Sequence, residues 1–255
     1  MGLSSNDKIS SKTCLKEDGV ITFDPKTNAG IFKNFYYNSR NKFIKTLTNA
    51  TNKSGIQSVK AYYKNRNLAS KKFSFTQVTE DTILQLLLKV NPSKPAGIDK
   101  LGGKFLKDGA PILKVPITQL CNLSISLSAF PQNCKVAKIK PIFKKGLSTE
   151  PQNYRPISLL PLISKIMEKV IHYQTQSFLM DNNILYKYQS GFHGNHSTAS
   201  CLSYVNNKMI EGFDAGQITG MILIDLQKAF DTIDHKILLD KLTHLGFYSQ
   251  RSKYY

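Results

Sequence analysis

The chain has 255 residues, is 41% hydrophobic, and carries 35 Lys and Arg against 17 Asp and Glu, a formal charge of +18 at pH 7. That apolar content is enough for one or two ordinary domains and excludes a wholly disordered chain. So large a positive excess calls for a polyanionic partner, an anionic surface or a solubility role. It is also concentrated: residues 1–150 hold 25 basic and 9 acidic side chains, residues 151–255 only 10 and 8. Cys14, Cys121, Cys134 and Cys201 show no CxxC pair, so neither a zinc knuckle nor a disulfide framework is indicated. A reducing, intracellular setting, nucleus or cytoplasm, fits them. No stretch approaches the ~20 apolar residues of a membrane span, and the N-terminus lacks a secretory pattern, so a soluble, non-secreted protein is expected.

The first 28 residues are polar, without sustained apolar period, and are expected to be disordered. From Ala29, the spacing of Ile31, Phe32, Phe35, Tyr36, Phe43 and Leu47 with Lys and Arg between predicts a basic amphipathic helix. Residues 49–72 lose that period and read as a linker. Thr79, followed by Glu80 and Asp81, is a helix start, and Ile83, Leu86, Leu87 and Val90 supply the apolar stripe up to Asn91-Pro92. A turn at Lys94–Gly97 precedes a short helix with Leu101 and Phe105. A further helix begins near Pro111, suited to a first helical position, and runs to about Leu127.

Lys138 and Lys140 then alternate with Ile139, and the chain turns through 146–153 and returns through Tyr154-Arg155-Pro156-Ile157-Ser158. The two-residue period predicts a β-hairpin with one basic face. Helices follow over Leu162–Val170 and Leu202–Phe213, separated by the glycine-bearing loop YQSGFHGNHST; its His193 and His196 lack further ligands at metal spacing and read as loop residues. The run Met221-Ile222-Leu223-Ile224 predicts a short strand buried on both faces, with Asp225 at its end, before a last helix over Ile237–Leu245 closed by Gly246. A carboxylate directly after a buried strand is costly unless a cation meets it, and magnesium is the usual solution in phosphoryl-transfer sites. On spacing alone the favoured reading of Asp225 is a cap of the following turn.

The segment ILIDLQKAFDTIDHKILLDKL resembles the first catalytic motif of non-LTR retrotransposon reverse transcriptases. VNPSKPAGIDKLGGKFLK, KVAKIKPIFKKG, PQNYRPISLLPLISKIMEKVI and YQSGFHGNHSTA resemble the family's preceding motifs, in the family's order, and FKNFYYNSRNKF resembles the helix that often precedes them. The resemblance implies an α+β right-hand polymerase fragment in four regions. These are a disordered N-terminus over 1–28, a basic helix and linker over 29–72, a fingers-like region over 73–215 with the hairpin near 135–158, and an incomplete palm over 216–255.

The activity implied is RNA-directed DNA synthesis with Mg2+, an RNA template, a DNA primer and deoxynucleoside triphosphates; protein partners are not indicated. By resemblance Asp225 is the first catalytic and metal-binding aspartate, with the backbone carbonyl of Leu226 as a further ligand. Gln227, Lys228, Ala229 and Phe230 line the incoming nucleotide, Phe230 excluding a ribose 2′-hydroxyl. Lys144 and Arg155 contact nucleotide phosphates. Lys138 and Lys140 contact nucleic acid, as do Gln189 and Gly191. Asp231 and Asp234 read as structural, capping or orienting the last helix. The family's second carboxylate motif, Asp-Asp, occurs nowhere in the 255 residues. One aspartate cannot hold two metal ions, so the chain alone is expected to be inert. A non-catalytic nucleic-acid-binding fragment, or the relic of a decayed element, is the alternative.

Overall fold

The structure is a computed structural model and describes residues 14–17, 19–50, 61, 72–226, 229–230 and 233–247. Its centre is a helical core beneath a two-stranded ribbon. Strands β1 (Leu15–Glu17) and β2 (Val20–Thr22) form a small hairpin ahead of α1 (Pro25–Ala50). Helices α2 (Glu80–Leu88), α3 (Gly103–Asp108) and α4 (Ala110–Ser126) come next. The ribbon β3 (Lys138–Phe143) and β4 (Tyr154–Leu159) is followed by α5 (Leu162–Asp181), α6 (Thr198–Asp214) and α7 (His235–His244). The mixture is α+β, as expected.

Local chemistry accounts for several helix ends. Thr79 accepts from the Thr82 N–H at the start of α2, where Glu80 and Asp81 face the positive end of the helix dipole. Asp234 caps α7 by accepting from the N–H groups of Lys236 and Ile237, the structural role expected of it; Asp231 lies outside the described residues. At the other end of α7, Gly246 takes φ +97°, Gly246 N–H donates to Thr243 and Phe247 N–H donates to Leu242. A left-handed residue here closes two free carbonyls, and glycine adopts it without a Cβ clash.

The expected disorder up to residue 28 is corrected. Residues 1–13 lie outside the description, but Leu15 is fully buried against Ile31 and Phe32, and α1 starts at Pro25. The missed signal is Asp24-Pro25, a capping side chain before a first-turn proline: Thr27 N–H and hydroxyl donate to Asp24 at 2.8 and 2.6 Å. The expected linker falls mostly outside the described residues, although α1 extends to Ala50.

The main core joins Ile83, Leu86 and Leu87 of α2, Leu106 of α3, Ala110, Ile117 and Cys121 of α4, and Leu162, Ile166, Met167 and Val170 of α5. Of the residues of α3, Gly103 and Leu106 are buried, while Phe105 is exposed and Leu101 precedes the helix. Burial pushes the Cys121 thiol up to about 11, with neighbouring Cys134 adding to the shift. Extended residues 73–79 are strapped to this core by two carboxamides, each acting as a substitute strand. Val78 N–H donates to Asn122 (2.8 Å) and Asn122 donates back to the Val78 carbonyl (3.0 Å). Thr76 and Gln174 exchange the same pair at 2.8 and 2.9 Å. Phe73 then stacks into a group with Phe178 and Phe247, centroids 4.5–5.3 Å apart, and its N–H donates to the Gly246 carbonyl.

The ribbon is pinned at root and tip. At the root, fully buried Ser164 donates to the Cys134 carbonyl at 3.0 Å, joining the residues just outside β3 and β4. Gly97 passes so close to this exit that a Cβ there would lie 2.7–2.8 Å from the backbone of Leu160 and Pro161. At the tip, Tyr154 meets Phe32 of α1 edge-on at 5.0 Å, and Lys16 N–H donates to the Thr149 carbonyl at 2.8 Å.

Two expectations at the C-terminal end need correction. Residues 221–224 are not a strand: Ile222, Leu223 and Ile224 are 88, 85 and 82% exposed, and among the described residues no strand lies beside them. An apolar run reports a need for burial, not the presence of a partner sheet. Similarly, α6 forms over the expected residues but buries none of them.

Two outcomes follow from the pinned ribbon. Gly97→Ala forces a methyl into rigid backbone and should lower unfolding stability by at least about 1–3 kcal/mol, read by urea denaturation; an unchanged midpoint would remove the root contact from the account. Phe32→Ala should free the N-terminal segment, so that the Lys16 amide exchanges hydrogen faster while core amides of α2 and α5 keep their protection. Unaltered Lys16 exchange would show that the tip contact is not anchored by Phe32.

Candidate nucleic-acid and nucleotide site

In an antiparallel ribbon, directly opposed residues share a face, and alternate residues along each strand return to it. The register pairs Lys138 with Leu159, Lys140 with Ile157 and Ile142 with Arg155. Lys138, Lys140 and Arg155 therefore lie on one face, with Ile142, Ile157 and Leu159, and the basic face expected from alternation is present. Ile139, Pro141, Phe143, Tyr154, Pro156 and Ser158 occupy the other. Lys144 continues the register just beyond β3, its N–H donating to the Asn153 carbonyl at 2.8 Å.

All four cations are exposed, and among the described residues none of them has an acidic side chain within ion-pair distance; the two ion pairs found join Lys114 to Glu80 and Lys208 to Glu211. The tip loop beside Lys144 is held in one shape. Gly146 has φ +93°, the Asn153 amide lies where its Cβ would be and donates to the Leu147 carbonyl, and the Tyr154 hydroxyl donates to the Ser148 carbonyl at 2.7 Å.

A second group forms around the glycine loop. Gln189 donates to the Gly191 carbonyl at 3.1 Å, and nothing stands within 4 Å of where a Gly191 Cβ would be, so the backbone there is open to a ligand. Phe192, at φ +61° and 85% exposed, meets Phe230 edge-on at 6.2 Å. The loop and the turn containing Ala229 and Phe230 are thereby brought together, through a residue that sequence reasoning did not single out. A bulky residue held in left-handed backbone is the signal, and it exists only in the structure.

Asp225 and Leu226 follow the exposed apolar run, and both are themselves exposed. The expectation that Asp225 is a carboxylate costly to bury is thus not met, because the strand that would bury it is unpaired. Gln227 and Lys228 lie outside the described residues. Magnesium asks for six ligands in near-octahedral array. Asp225 and the Leu226 carbonyl contribute two oxygens, and among the described residues no group of three or more His, Cys, Asp or Glu could hold a metal ion. Asp225 and the Leu226 carbonyl do not by themselves make up a metal site. No described helix is long and apolar enough to cross a membrane.

Residues 142–255 match the family of reverse transcriptases (RNA-dependent DNA polymerases). The chain is 30% identical, over 65% of its length, to the probable RNA-directed DNA polymerase from transposon BS of Drosophila melanogaster. It is 30% identical over 60% of its length to the corresponding probable polymerase from transposon X-element of the same species, and 28% identical over 66% to the RNA-directed DNA polymerase from mobile element jockey of Drosophila funebris. The matched stretch spans 17–18% of each of these relatives. Ordered motifs and these likenesses agree: residues 142–255 match the reverse transcriptase family, and the chain is similar to RNA-directed DNA polymerases of transposable elements.

Proposed function

We propose that this chain supplies the fingers and the first palm segment of an RNA-directed DNA polymerase that copies an RNA template from a DNA primer. The observation that carries the reading is the ribbon face on which Lys138, Lys140 and Arg155 stand without acidic partners among the described residues. Alternate residues on a strand lie about 7 Å apart, inside the ~8 Å Debye length of physiological salt, so the cations repel one another until a polyanion arrives. Lys138 and Lys140 act on nucleic-acid phosphates. Arg155 offers a planar fork and Lys144 a point charge to the phosphates of the incoming nucleotide. Gln189 and the open backbone at Gly191 approach template and primer. The backbone from Gln227 to Phe230 lines the nucleotide, and Phe230 stands where a ribose 2′-hydroxyl would be rejected.

Asp225, with the Leu226 carbonyl, is proposed as the first of the metal-binding positions, magnesium being the ion. Because these 255 residues contain no Asp-Asp, the remaining carboxylates come from outside them. Within the chain by itself the supported activity is binding, driven by phosphate contacts. An intracellular location, where RNA template and deoxynucleotides coexist, accompanies this reading.

Binding of the chain to a single strand across a salt series tests the ribbon. The double variant Lys138→Ala, Lys140→Ala should lower the slope of log affinity against log salt by about 1.4, the release expected for two phosphates of a single strand. An unchanged slope would mean that this face does not touch phosphate. Primer extension on poly(rA) with oligo(dT) and magnesium tests the division of the metal site: the chain alone should give no product. Product that disappears in Asp225→Ala would show instead that a second copy completes the carboxylates.

A further inference from the structure

Outside the residues already assigned, the structure gathers three tyrosines and two lysines where the loop after α5 meets α6. The rings of Tyr186 and Tyr188 lie 5.4 Å apart, and that of Tyr188 lies 5.6 Å from Tyr204 on α6. Lys187 Nζ stands 4.6 Å from the centre of the Tyr188 ring, and Lys208 Nζ stands 6.0 Å from that of Tyr204 while also meeting Glu211 at 2.6 Å. All three rings are exposed, at 57, 49 and 45%. An isolated surface tyrosine needs no explanation, but three touching rings with cations on their faces form a patch with a definite chemistry.

We propose that Tyr186, Tyr188 and Tyr204, with Lys187, form a stacking platform for unpaired bases of a single nucleic-acid strand. Every base has a π-face, and aromatic rings between lysines bind single strands by stacking the bases while the ammonium groups meet the phosphates. Here Lys187 sits on the ring face a base would take. An entering base displaces it, and the freed ammonium group then lies one residue from the stacked base, within reach of that nucleotide's phosphate. The platform borders Gln189 and the open backbone at Gly191, so a strand lying on the tyrosines continues into residues already proposed to approach template and primer. Lys187 beside the Tyr188 ring favours an anionic occupant.

The proposal rests on the chain's being a nucleic-acid binder, and the test separates the two. Fluorescence anisotropy of the full chain is measured with labelled strands of roughly 12 nucleotides, within the usual span of a single-strand site: oligo(dA), oligo(rA), and an abasic deoxy strand of equal charge. Tyr188→Ala should weaken binding to oligo(dA) and oligo(rA) by about 5- to 100-fold and leave the abasic strand unaffected, whereas Tyr188→Phe should keep the affinity of the unaltered chain. Tyr204→Ala, on a helix with no buried residue, should repeat the loss and serves if Tyr188→Ala fails to fold. Equal losses on base-bearing and abasic strands, a loss confined to RNA, or no loss in either alanine variant would overturn the platform. If the unaltered chain binds none of the strands, the nucleic-acid reading itself fails and takes the platform with it.

Discussion

Two strands joined by a turn are at best marginally stable in water, and everything useful about the basic ribbon depends on escaping that limit. No third strand pairs with β3 or β4 among the described residues, and charged side chains on an exposed face supply no burial. The ribbon is instead fastened at its ends. Ser164 and Gly97 fix the root against the helical core, and Phe32, Leu15 and the Lys16–Thr149 hydrogen bond fix the tip. Burying a phenylalanine of this kind contributes roughly 1.5–3 kcal/mol, several times the worth of an exposed ion pair. The N-terminal hairpin and α1 therefore belong mechanically to the ribbon, although more than a hundred residues separate Phe32 from Tyr154 in the chain.

This arrangement leaves the basic face free of structural duty. Pinning uses apolar contacts and backbone bonds on the tyrosine side and at the root, so that Lys138, Lys140 and Arg155 need no partner to hold their strands in place. Paired with local carboxylates they would be neutralised, and a ligand would have to break those pairs. Pro141 opposite Pro156 serves the same separation, because proline withholds the N–H that another strand would need at that position.

What could be read in the sequence was whatever is decided within a few residues. The Thr79 cap, the glycine stop at Gly246 and the alternation of Lys138, Ile139 and Lys140 are local devices, and each recurs in the structure where its residues stand. Asp24-Pro25 was equally local but was hidden by the polar composition around it. The carboxamide straps were not legible, because Asn122 reaches Val78 across 44 residues and Gln174 reaches Thr76 across 98, and nothing in a polar side chain's own neighbourhood marks it as a substitute strand. The Phe192–Phe230 contact was hidden for the same reason, along with the tyrosine platform, whose members belong to a loop and a helix.

The run 221–224 shows where period alone misleads, and the consequence reaches Asp225. Four apolar residues between Gly220 and a carboxylate carry a strand's composition, but burial is a property of pairs of surfaces, and here the second surface is not among the described residues. Exposed, the segment has no ladder to fix its pleat, so nothing aims the Asp225 carboxylate, and a lone solvated carboxylate holds a strongly hydrated divalent ion weakly. Pairing of the segment into a sheet would change both terms together. It would orient the carboxylate at a strand end and remove water from it, raising the cost of its charge and with it the gain from a cation. Order in the sheet would therefore have to precede tight binding of any cation at Asp225, whereas the ribbon is already pinned.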